Sequence, residues 1–305
     1  MAVGPDGALL GDVSCTNHLE PFDERSSTDL PVRQKRTRAE RVHGTVAVLA
    51  FPFAGTNYYH WMLDSVARLD LLDRAGVDRD AIDYFYVSDS SARYHAETFE
   101  RLGIDRRRVI TAQWRRHIVA DELVVPSLVG RSGAFPDRVI RFHQRLWWPK
   151  DEGARAGGRR LYLNRNRVTY RRVTNEPEIE RLLASRGFES VAMEDHSVAE
   201  QAAMMHDADV VVAPHGAALA NIMFCRPGTK VIELHNRRLI NNMYWSIAGE
   251  IGLDYAYQLS DPQPAADSCL ENEADLRFDT GVLDRLLDLV AEQPAVEPRR
   301  AVAAV

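Results

Sequence analysis

Hydrophobic residues recur along this chain at two alternating spacings, which predict short buried strands separated by amphipathic helices. The apolar run 45–51 predicts a buried strand, and the residues after Asn57 predict a helix that ends at Gly76. Large apolar side chains follow this helix at helical spacing: Tyr58, Trp61, Met62, Val66, Leu69 and Leu72. Strands that alternate with helices in this way are typical of α/β proteins with parallel sheets.

The same alternation returns in the second half of the chain. Strands are predicted at 160–163, 210–213 and 231–234, with a helix at 176–186 between the first two. Ser197-Val198-Ala199-Glu200 has the spacing of a capping box and predicts the start of a further helix. Between the halves, residues 150–158 are charged and glycine-rich without an apolar anchor, which is typical of a linker.

We therefore predict an α/β chain with two domains of similar size. The predicted boundaries are a peripheral N-terminal segment at 1–41, an N-terminal α/β domain at 42–149, a linker at 150–158, a C-terminal α/β domain at 159–260, a loop and terminal helix at 261–292, and a flexible tail at 293–305.

Composition limits the classes of function that fit the chain. A formal net charge of −6 over 305 residues argues against broad nucleic-acid binding. Three widely separated cysteines predict neither a disulfide framework nor a zinc site. No signal peptide is expected, and no apolar run approaches the roughly 20 residues of a membrane span. We expect a cytoplasmic protein.

Arginines are nonetheless concentrated after the strand at 160–163, in a segment that we call the arginine loop (residues 164–172). Guanidinium groups bind phosphate oxygens in a planar, bidentate way, which makes Arg165 and Arg172 candidates for an anion site. The alternative is a charged loop exposed to solvent.

Two further candidates follow the next strands. His215-Gly216-Ala217 comes directly after a buried strand, where backbone N–H groups at a helix start can bind an anion. Glu233 ends the following strand, where a carboxylate can accept hydrogen bonds from sugar hydroxyls. The alternatives are a tight strand-to-helix turn and a surface glutamate paired with an arginine.

The first half holds one candidate for acid–base chemistry. His60 and Asp64 are four residues apart near a helix start, so they share a helix face and can form a hydrogen bond. A carboxylate that orients a histidine can make it a general base, although most such pairs lie on protein surfaces. The triplets Asp78-Arg79-Asp80 and Asp207-Ala208-Asp209 are given no metal-binding role, and no metal is expected.

These segments together resemble glycosyltransferase family 61. The matching residues are Tyr59-His60-Trp61 with Asp64, Tyr162-Leu163-Asn164-Arg165 with Arg172, Asn175-Glu176, Glu200-Gln201, Ala208-Asp209, 214–221, Phe224, Pro227-Gly228 and 231–233. The order and spacing match from about residue 57 to 235. Asn164 stands where a serine usually precedes the arginine.

The resemblance implies a GT-B-like fold, in which two Rossmann-like domains face each other across a cleft and the C-terminal one binds a nucleotide-sugar. It also implies inversion at the anomeric carbon. It places Asn175 among the donor-binding candidates, although the sequence around it is interpreted most simply as a helix N-cap.

We therefore expect an inverting glycosyltransferase that moves a sugar from a nucleoside diphosphate to a hydroxyl of a glycan, polysaccharide or small molecule. A lipid-linked acceptor would bring it to a membrane surface, and a homodimer is left open. The alternatives are a nucleotide-sugar epimerase of the same fold and a non-catalytic protein that binds nucleotides or glycans.

Overall fold

The computed structural model describes residues 2–6, 10–14, 38–113, 117–130, 133–149, 158–237, 240–262 and 275–292. The chain divides into two compact units, Met1–Phe142 and His143–Val305. The predicted tail at 293–305 and, apart from Gly158, the predicted linker lie outside the described residues. The predicted domain boundaries therefore stay predictions.

The first unit contains one parallel sheet. Its strands are β1 (Glu40–Val48), β2 (Tyr84–Val87), β3 (Val109–Thr111) and β4 (Ile118–Val124). The helices are α1 (Tyr58–His60), a π-helix (Trp61–Val66), α2 (Arg68–Arg74), α3 (Arg93–Arg101) and α4 (Asp137–Trp147), with 3-10 turns at Gly11–Val13, Arg79–Ala81 and Arg106–Arg108. The strands are ordered β3-β2-β1-β4 and every neighbouring pair is parallel. The boundary between the two units falls inside α4.

The helix that follows β1 departs from the predicted regular helix. It begins with Asn57, whose Oδ1 accepts a hydrogen bond from the Tyr59 backbone N–H at 2.9 Å. From Trp61 to Val66 it widens into a π-helix in which all six residues are buried. Such wide turns are rare and frequently occur at functional sites.

Trp61 anchors this segment in the core of the first unit. Its side chain is 1% exposed, and its indole N–H donates a hydrogen bond to Thr98 Oγ1 at 3.2 Å. Its ring also meets the rings of His95 and Phe99 edge-on, with centroids 4.3 and 5.5 Å apart. These contacts with α3 fix the position of the neighbouring His60.

The second unit contains a larger sheet. Its strands are β5 (Arg159–Leu163), β6 (Glu189–Val191), β7 (Ala208–Pro214), β8 (Lys230–Asn236), β9 (Asp254–Pro262) and β10 (Leu276–Arg277). The helices are α5 (Glu176–Ser185), α6 (Val198–His206), α7 (Met243–Ile251) and α8 (Thr280–Glu292), with 3-10 helices at Met193–Asp195 and Ala217–Phe224.

The strand order of this sheet is β10-β9-β8-β7-β5-β6, and only the β9–β10 pair is antiparallel among these strands. The chain winds outward from β5 to β6 on one side and from β7 to β9 on the other. The order therefore reverses between β5 and β7. In open α/β sheets, ligands bind beyond the carboxyl ends of the strands at such a switch point.

Two predicted helix starts can be compared with the structure. The capping box is confirmed, because Ser197 Oγ accepts from the Glu200 N–H while a Glu200 carboxylate oxygen accepts from the Ser197 N–H. Asn175 stands at the start of α5, but its side chain makes no capping bond. Its amide instead pairs with the backbone N–H and C=O of Phe278, at 3.1 and 2.8 Å, and so ties α5 to the segment before α8.

The predicted α/β class is confirmed, since both units consist of parallel sheets joined by helices, as in Rossmann-like domains. Within the described part of the chain, no helix combines the length and the apolar character that a membrane crossing requires. The facing of two domains across a cleft stays a prediction.

Candidate functional site

Arg165 and Gly216 meet at the switch point of the second sheet. Arg165 follows the end of β5, and Gly216 follows the end of β7. A Cβ atom added to Gly216 would lie 1.9 Å from Arg165 Nη1, so the guanidinium group lies directly against the glycine backbone. A side chain at position 216 would occupy the space of the guanidinium. The absence of a side chain there is what admits the arginine.

The Arg165 guanidinium is buried with little compensation. Arg165 is 9% exposed, and within the described residues its guanidinium forms no ion pair with a carboxylate. Its Nη2 donates a long hydrogen bond of 3.4 Å to the Tyr170 carbonyl, and its Nε has no partner in the described part. Burial lowers the pKa of Arg165, and the nearby Arg171 lowers it further. A buried cation in this state has hydrogen-bond donors available for an anion.

Arg171 is the second cation of this group. The guanidinium carbons of Arg165 and Arg171 lie 5.8 and 5.1 Å from the centroid of the Tyr170 ring. The charge of Arg171 also lowers the pKa of both Arg165 and His215. Its backbone has a φ of 51°, the left-handed conformation that non-glycine residues rarely adopt. The side chains of Arg171 and Arg172 have different neighbours, since Arg171 lies over the Tyr170 ring and Arg172 is paired with Asp275.

Arg172, a candidate from the sequence, forms an ion pair with Asp275. Its side chain is 63% exposed and is paired with Asp275, with Nε and Nη2 at 2.9 and 2.5 Å from Oδ2. Its backbone N–H donates to the other carboxylate oxygen of Asp275 at 2.9 Å. The hydrogen bonds to Asp275 raise the pKa of Arg172. The structure thus gives Arg172 a carboxylate partner that Arg165 lacks.

His215 lies at the end of β7 in a fully hydrogen-bonded arrangement. Its Nδ1 is hydrogen-bonded to Glu233 Oε1, and the Asn241 amide nitrogen lies 3.2 Å from its Nε2. Because the amide donates to Nε2, the proton of the neutral ring belongs on Nδ1, which donates to the carboxylate. Burial lowers the pKa of His215, an effect that the hydrogen bond to Glu233 opposes.

Glu233 is the buried partner that orients His215. It is fully buried, and its second carboxylate oxygen accepts a hydrogen bond from the Tyr255 hydroxyl. His235 Nε2 lies 3.4 Å from the first oxygen, and the His235 ring stacks on that of His215 with centroids 4.7 Å apart. Both carboxylate oxygens therefore have protein partners. Contact of Glu233 with a sugar hydroxyl stays a prediction.

The same three residues are the one group in the described part of the chain with the spacing of a metal site. One ligand atom from each of His215, Glu233 and His235 can be chosen so that all lie within 4.8 Å of one another. A metal on His215 Nδ1 would displace the proton donated to Glu233 and move it to Nε2, opposite the Asn241 amide donor. The hydrogen bonds thus favour the metal-free pair.

His60 and Asp64 form a second histidine–carboxylate pair, in the first unit. His60 Nδ1 lies 2.8 Å from Asp64 Oδ2, and the two side chains are 13% and 3% exposed. The rings of Phe51 and Phe53 lie beside the imidazole, with centroids 6.0 and 5.7 Å away. Phe53 is exposed and has a left-handed backbone with a φ of 62°. The predicted hydrogen bond between His60 and Asp64 is therefore present, within a largely aromatic setting.

Replacing Gly216 with alanine tests whether the Arg165 position matters for ligand binding. The added methyl would push the guanidinium away from its place, while the extended backbone at Gly216, with a φ of 173°, accepts any residue without strain. We expect a change in unfolding free energy of about 1 kcal/mol or less but a loss of about tenfold or more in diphosphate affinity. Isothermal titration with a nucleoside diphosphate measures the affinity, and unchanged affinity would contradict the expected role of the contact.

A doubly wound unit with two arginines and a histidine beyond the carboxyl ends of its strands has the positive charge that an anionic ligand requires. Comparison with known proteins gives a more specific answer. The family model for Glycosyltransferase 61 matches residues 58–232, more than half of the chain. The chain belongs to this family and is a glycosyltransferase, which confirms the resemblance found in the sequence.

Comparisons with individual proteins add one structural likeness. No curated protein matches the chain. Seventeen chains of solved structures match, among them the E. coli heptosyltransferase WaaC with ADP. That structure is 10% identical in sequence, covers 82% of this chain and 100% of its own, and superposes with a TM-score of 0.39.

Proposed function

We propose that this glycosyltransferase moves a sugar from a nucleoside diphosphate to a hydroxyl acceptor, with inversion at the anomeric carbon. The observation that carries the proposal is the Arg165 guanidinium, which is nine-tenths buried at the switch point without a carboxylate partner in the described residues. Burying a cation costs free energy unless a group of opposite charge lies beside it. A diphosphate supplies that charge.

The leaving diphosphate would be bound by several groups at this edge. Arg165 would donate to its oxygens together with the backbone N–H groups of Gly216 and Ala217, where the 3-10 helix Ala217–Phe224 begins. His215 would join them through Nε2 once its ring is protonated and the Asn241 amide turns away. Negative charge develops on the leaving oxygens in the transition state, so fixed donors there lower the barrier. Arg172 and Asn175 would contribute from the arginine loop and the start of α5. Glu233 would act on the sugar or ribose hydroxyls.

His60, oriented by Asp64, would take the proton of the attacking acceptor hydroxyl. The hydrogen bond of 2.8 Å between them supports this role, because a carboxylate partner fixes the ring orientation and stabilises the imidazolium that forms. The acceptor oxygen then attacks the anomeric carbon from the face opposite the diphosphate, the bond to the diphosphate breaks, and the configuration inverts. Charge neutralisation by the arginines makes a metal unnecessary.

We further propose that the acceptor belongs to a glycan or polysaccharide, that the reaction is cytoplasmic, and that a lipid-linked acceptor brings the enzyme to the membrane. A homodimer is compatible with this activity. The acidic charge of the whole chain makes nucleic acid an unsuitable partner.

A thermal-shift panel of nucleoside diphosphates and nucleotide-sugars tests the donor class. A ligand at about 100 times its Kd should stabilise the folded protein by about 2.7 kcal/mol. The best donor, carrying an isotope in its sugar, is then incubated with acceptor glycans. Label found on the acceptor supports transfer, whereas label found only on an altered nucleotide-sugar indicates an epimerase. A panel without any shift would exclude the proposed donor class.

Alanine substitutions at two neighbouring arginines separate their proposed contributions. Arg171→Ala should lower donor affinity by about 10- to 150-fold, because Arg171 is the second cation beside Arg165 and one charge-assisted hydrogen bond to phosphate is worth about 1.5–3 kcal/mol. Arg172→Ala removes a residue already paired with Asp275, and a loss of similar size would establish that this pair opens when the donor binds. Titration calorimetry gives both affinities. An Arg172→Ala variant with the wild-type affinity and turnover would remove Arg172 from the site.

A further inference from the structure

A pocket of ≈ 490 Å³ lies beside the second sheet, between the start of α7 and the first half of β9. We call it the aromatic pocket, and its lining includes Trp245, Tyr257, Tyr255, Asn241 and His235. Trp245 and Tyr257 are 59% and 55% exposed, which is unusual for side chains of this size. Flat apolar faces that remain open to solvent in a concave site are typical of a ligand-binding surface.

The chemistry of the lining favours a neutral, planar group. None of its described residues is an acid, a lysine or an arginine, so this described lining offers no charge to a phosphate. Its polar groups include the side-chain amides of Asn241 and Asn242, which carry both hydrogen-bond donors and acceptors. Aromatic walls with amides at the edge suit a heterocyclic base, which presents a π-face for stacking and polar atoms around its rim.

The aromatic pocket is continuous with the proposed diphosphate site. Asn241 belongs to its lining and also lies within 3.2 Å of His215 Nε2. His235 and Tyr255 belong to the lining as well. The His235 ring stacks on that of His215, and the Tyr255 hydroxyl donates to Glu233. A ligand that places its phosphates at His215 would therefore have the group next to those phosphates close to the aromatic pocket.

We propose that the aromatic pocket binds the nucleobase of the sugar donor, which stacks on Trp245 and Tyr257 while Asn241 and Asn242 contact its edge. This inference rests on the proposed function, since it assigns one part of the donor to this unit. The transferred sugar is the alternative occupant, and a nucleoside diphosphate, which lacks that sugar, distinguishes the two in the titration below. Nucleobase stacking uses the aromatic faces that the pocket exposes.

The experiment compares three variants by titration with two probes. The probes are inorganic pyrophosphate and whichever of uridine, adenosine, guanosine or cytidine diphosphate binds the wild type best. Trp245→Ala should weaken nucleoside diphosphate binding by about 5- to 150-fold, the range found when an aromatic partner of one base is removed. It should leave pyrophosphate binding unchanged. Trp245→Phe should recover much of the affinity, because a phenyl ring still stacks.

Two controls separate this inference from the proposed function. Leu289→Ala removes a side chain of α8 that is 57% exposed, and should change neither affinity. Arg165→Ala should weaken both probes. If Trp245→Ala leaves nucleoside diphosphate affinity at the wild-type value, or weakens pyrophosphate equally, the nucleobase assignment is wrong while the diphosphate site stands. If the wild type binds neither probe, the proposed function itself fails.

Discussion

His60→Ala should lower the rate of sugar transfer by about 10²–10⁴-fold, the contribution of a positioned general base. The imidazole has a buried carboxylate 2.8 Å from its Nδ1 and the rings of Phe51 and Phe53 beside it, so this variant removes an oriented imidazole. Donor affinity should remain within about twofold, because the proposed base contacts the acceptor and not the diphosphate. Steady-state kinetics with the identified donor give kcat, and titration gives the affinity.

Two further variants show whether the effect belongs to this pair. Asp64→Asn retains the size of the side chain but removes the charge that stabilises the imidazolium, and should also lower kcat and alter its dependence on pH. His117→Ala removes an exposed histidine of the same unit and should leave kcat unchanged. A His60→Ala enzyme with wild-type turnover would mean that another group accepts the acceptor proton.

Arg165→Met should abolish measurable donor binding without lowering the stability of the unliganded protein. Methionine fills much of the buried space but carries no charge, so the diphosphate loses charge-assisted hydrogen bonds from a desolvated guanidinium. The same substitution removes a buried cation that has no carboxylate partner within the described residues. Replacing buried charge by apolar volume is often neutral or stabilising by 1–4 kcal/mol, and we expect a change of about this sign and size.

The opposite signs of these two effects identify a binding residue and not a structural one. Chemical denaturation gives the unfolding free energy, and titration with a nucleoside diphosphate gives the affinity. Arg167→Met is the matched control, because Arg167 lies in the same arginine loop, is 60% exposed and is paired with Asp195. A clear loss of stability in Arg165→Met, with affinity retained, would assign the buried guanidinium to folding alone.

Much of the fold could be predicted because strand and helix spacings are local properties of the sequence. The predicted strand at 210–213 lies within β7, and the predicted helix at 176–186 matches α5 to within one residue. The π-helix was not predicted. Apolar side chains cover so much of Trp61–Val66 that the pattern cannot distinguish 3.6 residues per turn from a wider turn. Tertiary packing of Trp61 against α3 decides between them.

The site was predicted less completely, for two physical reasons. The choice between Arg171 and Arg172 depends on one left-handed residue, since the backbone at Arg171 turns the two side chains to different neighbours. The surroundings of Glu233 depend on strands that are distant in sequence, because Tyr255 belongs to β9 and His215 to the end of β7.

One missed residue had a sequence signal. Residues two apart on a strand share a face, so His235 could have been placed beside Glu233 from the sequence alone. No such local pattern marks Trp245 and Tyr257, which line the same pocket only because the fold brings α7 beside β9.

The wide turn after His60 makes the number of residues in this segment as important as their identity. Each residue of a regular helix advances the chain by about 100°, so shortening Trp61–Val66 by one would rotate His60 by that angle relative to Arg68. Arg68 is the first residue of α2 and is 2% exposed. Its guanidinium carbon lies 5.7 Å from the centroid of the Phe51 ring. A substitution that spares Asp64 can be absorbed by repacking, whereas an insertion or deletion here would change the direction in which the histidine points. The number of residues between His60 and Arg68 is therefore a constraint on the site in addition to the identity of Asp64.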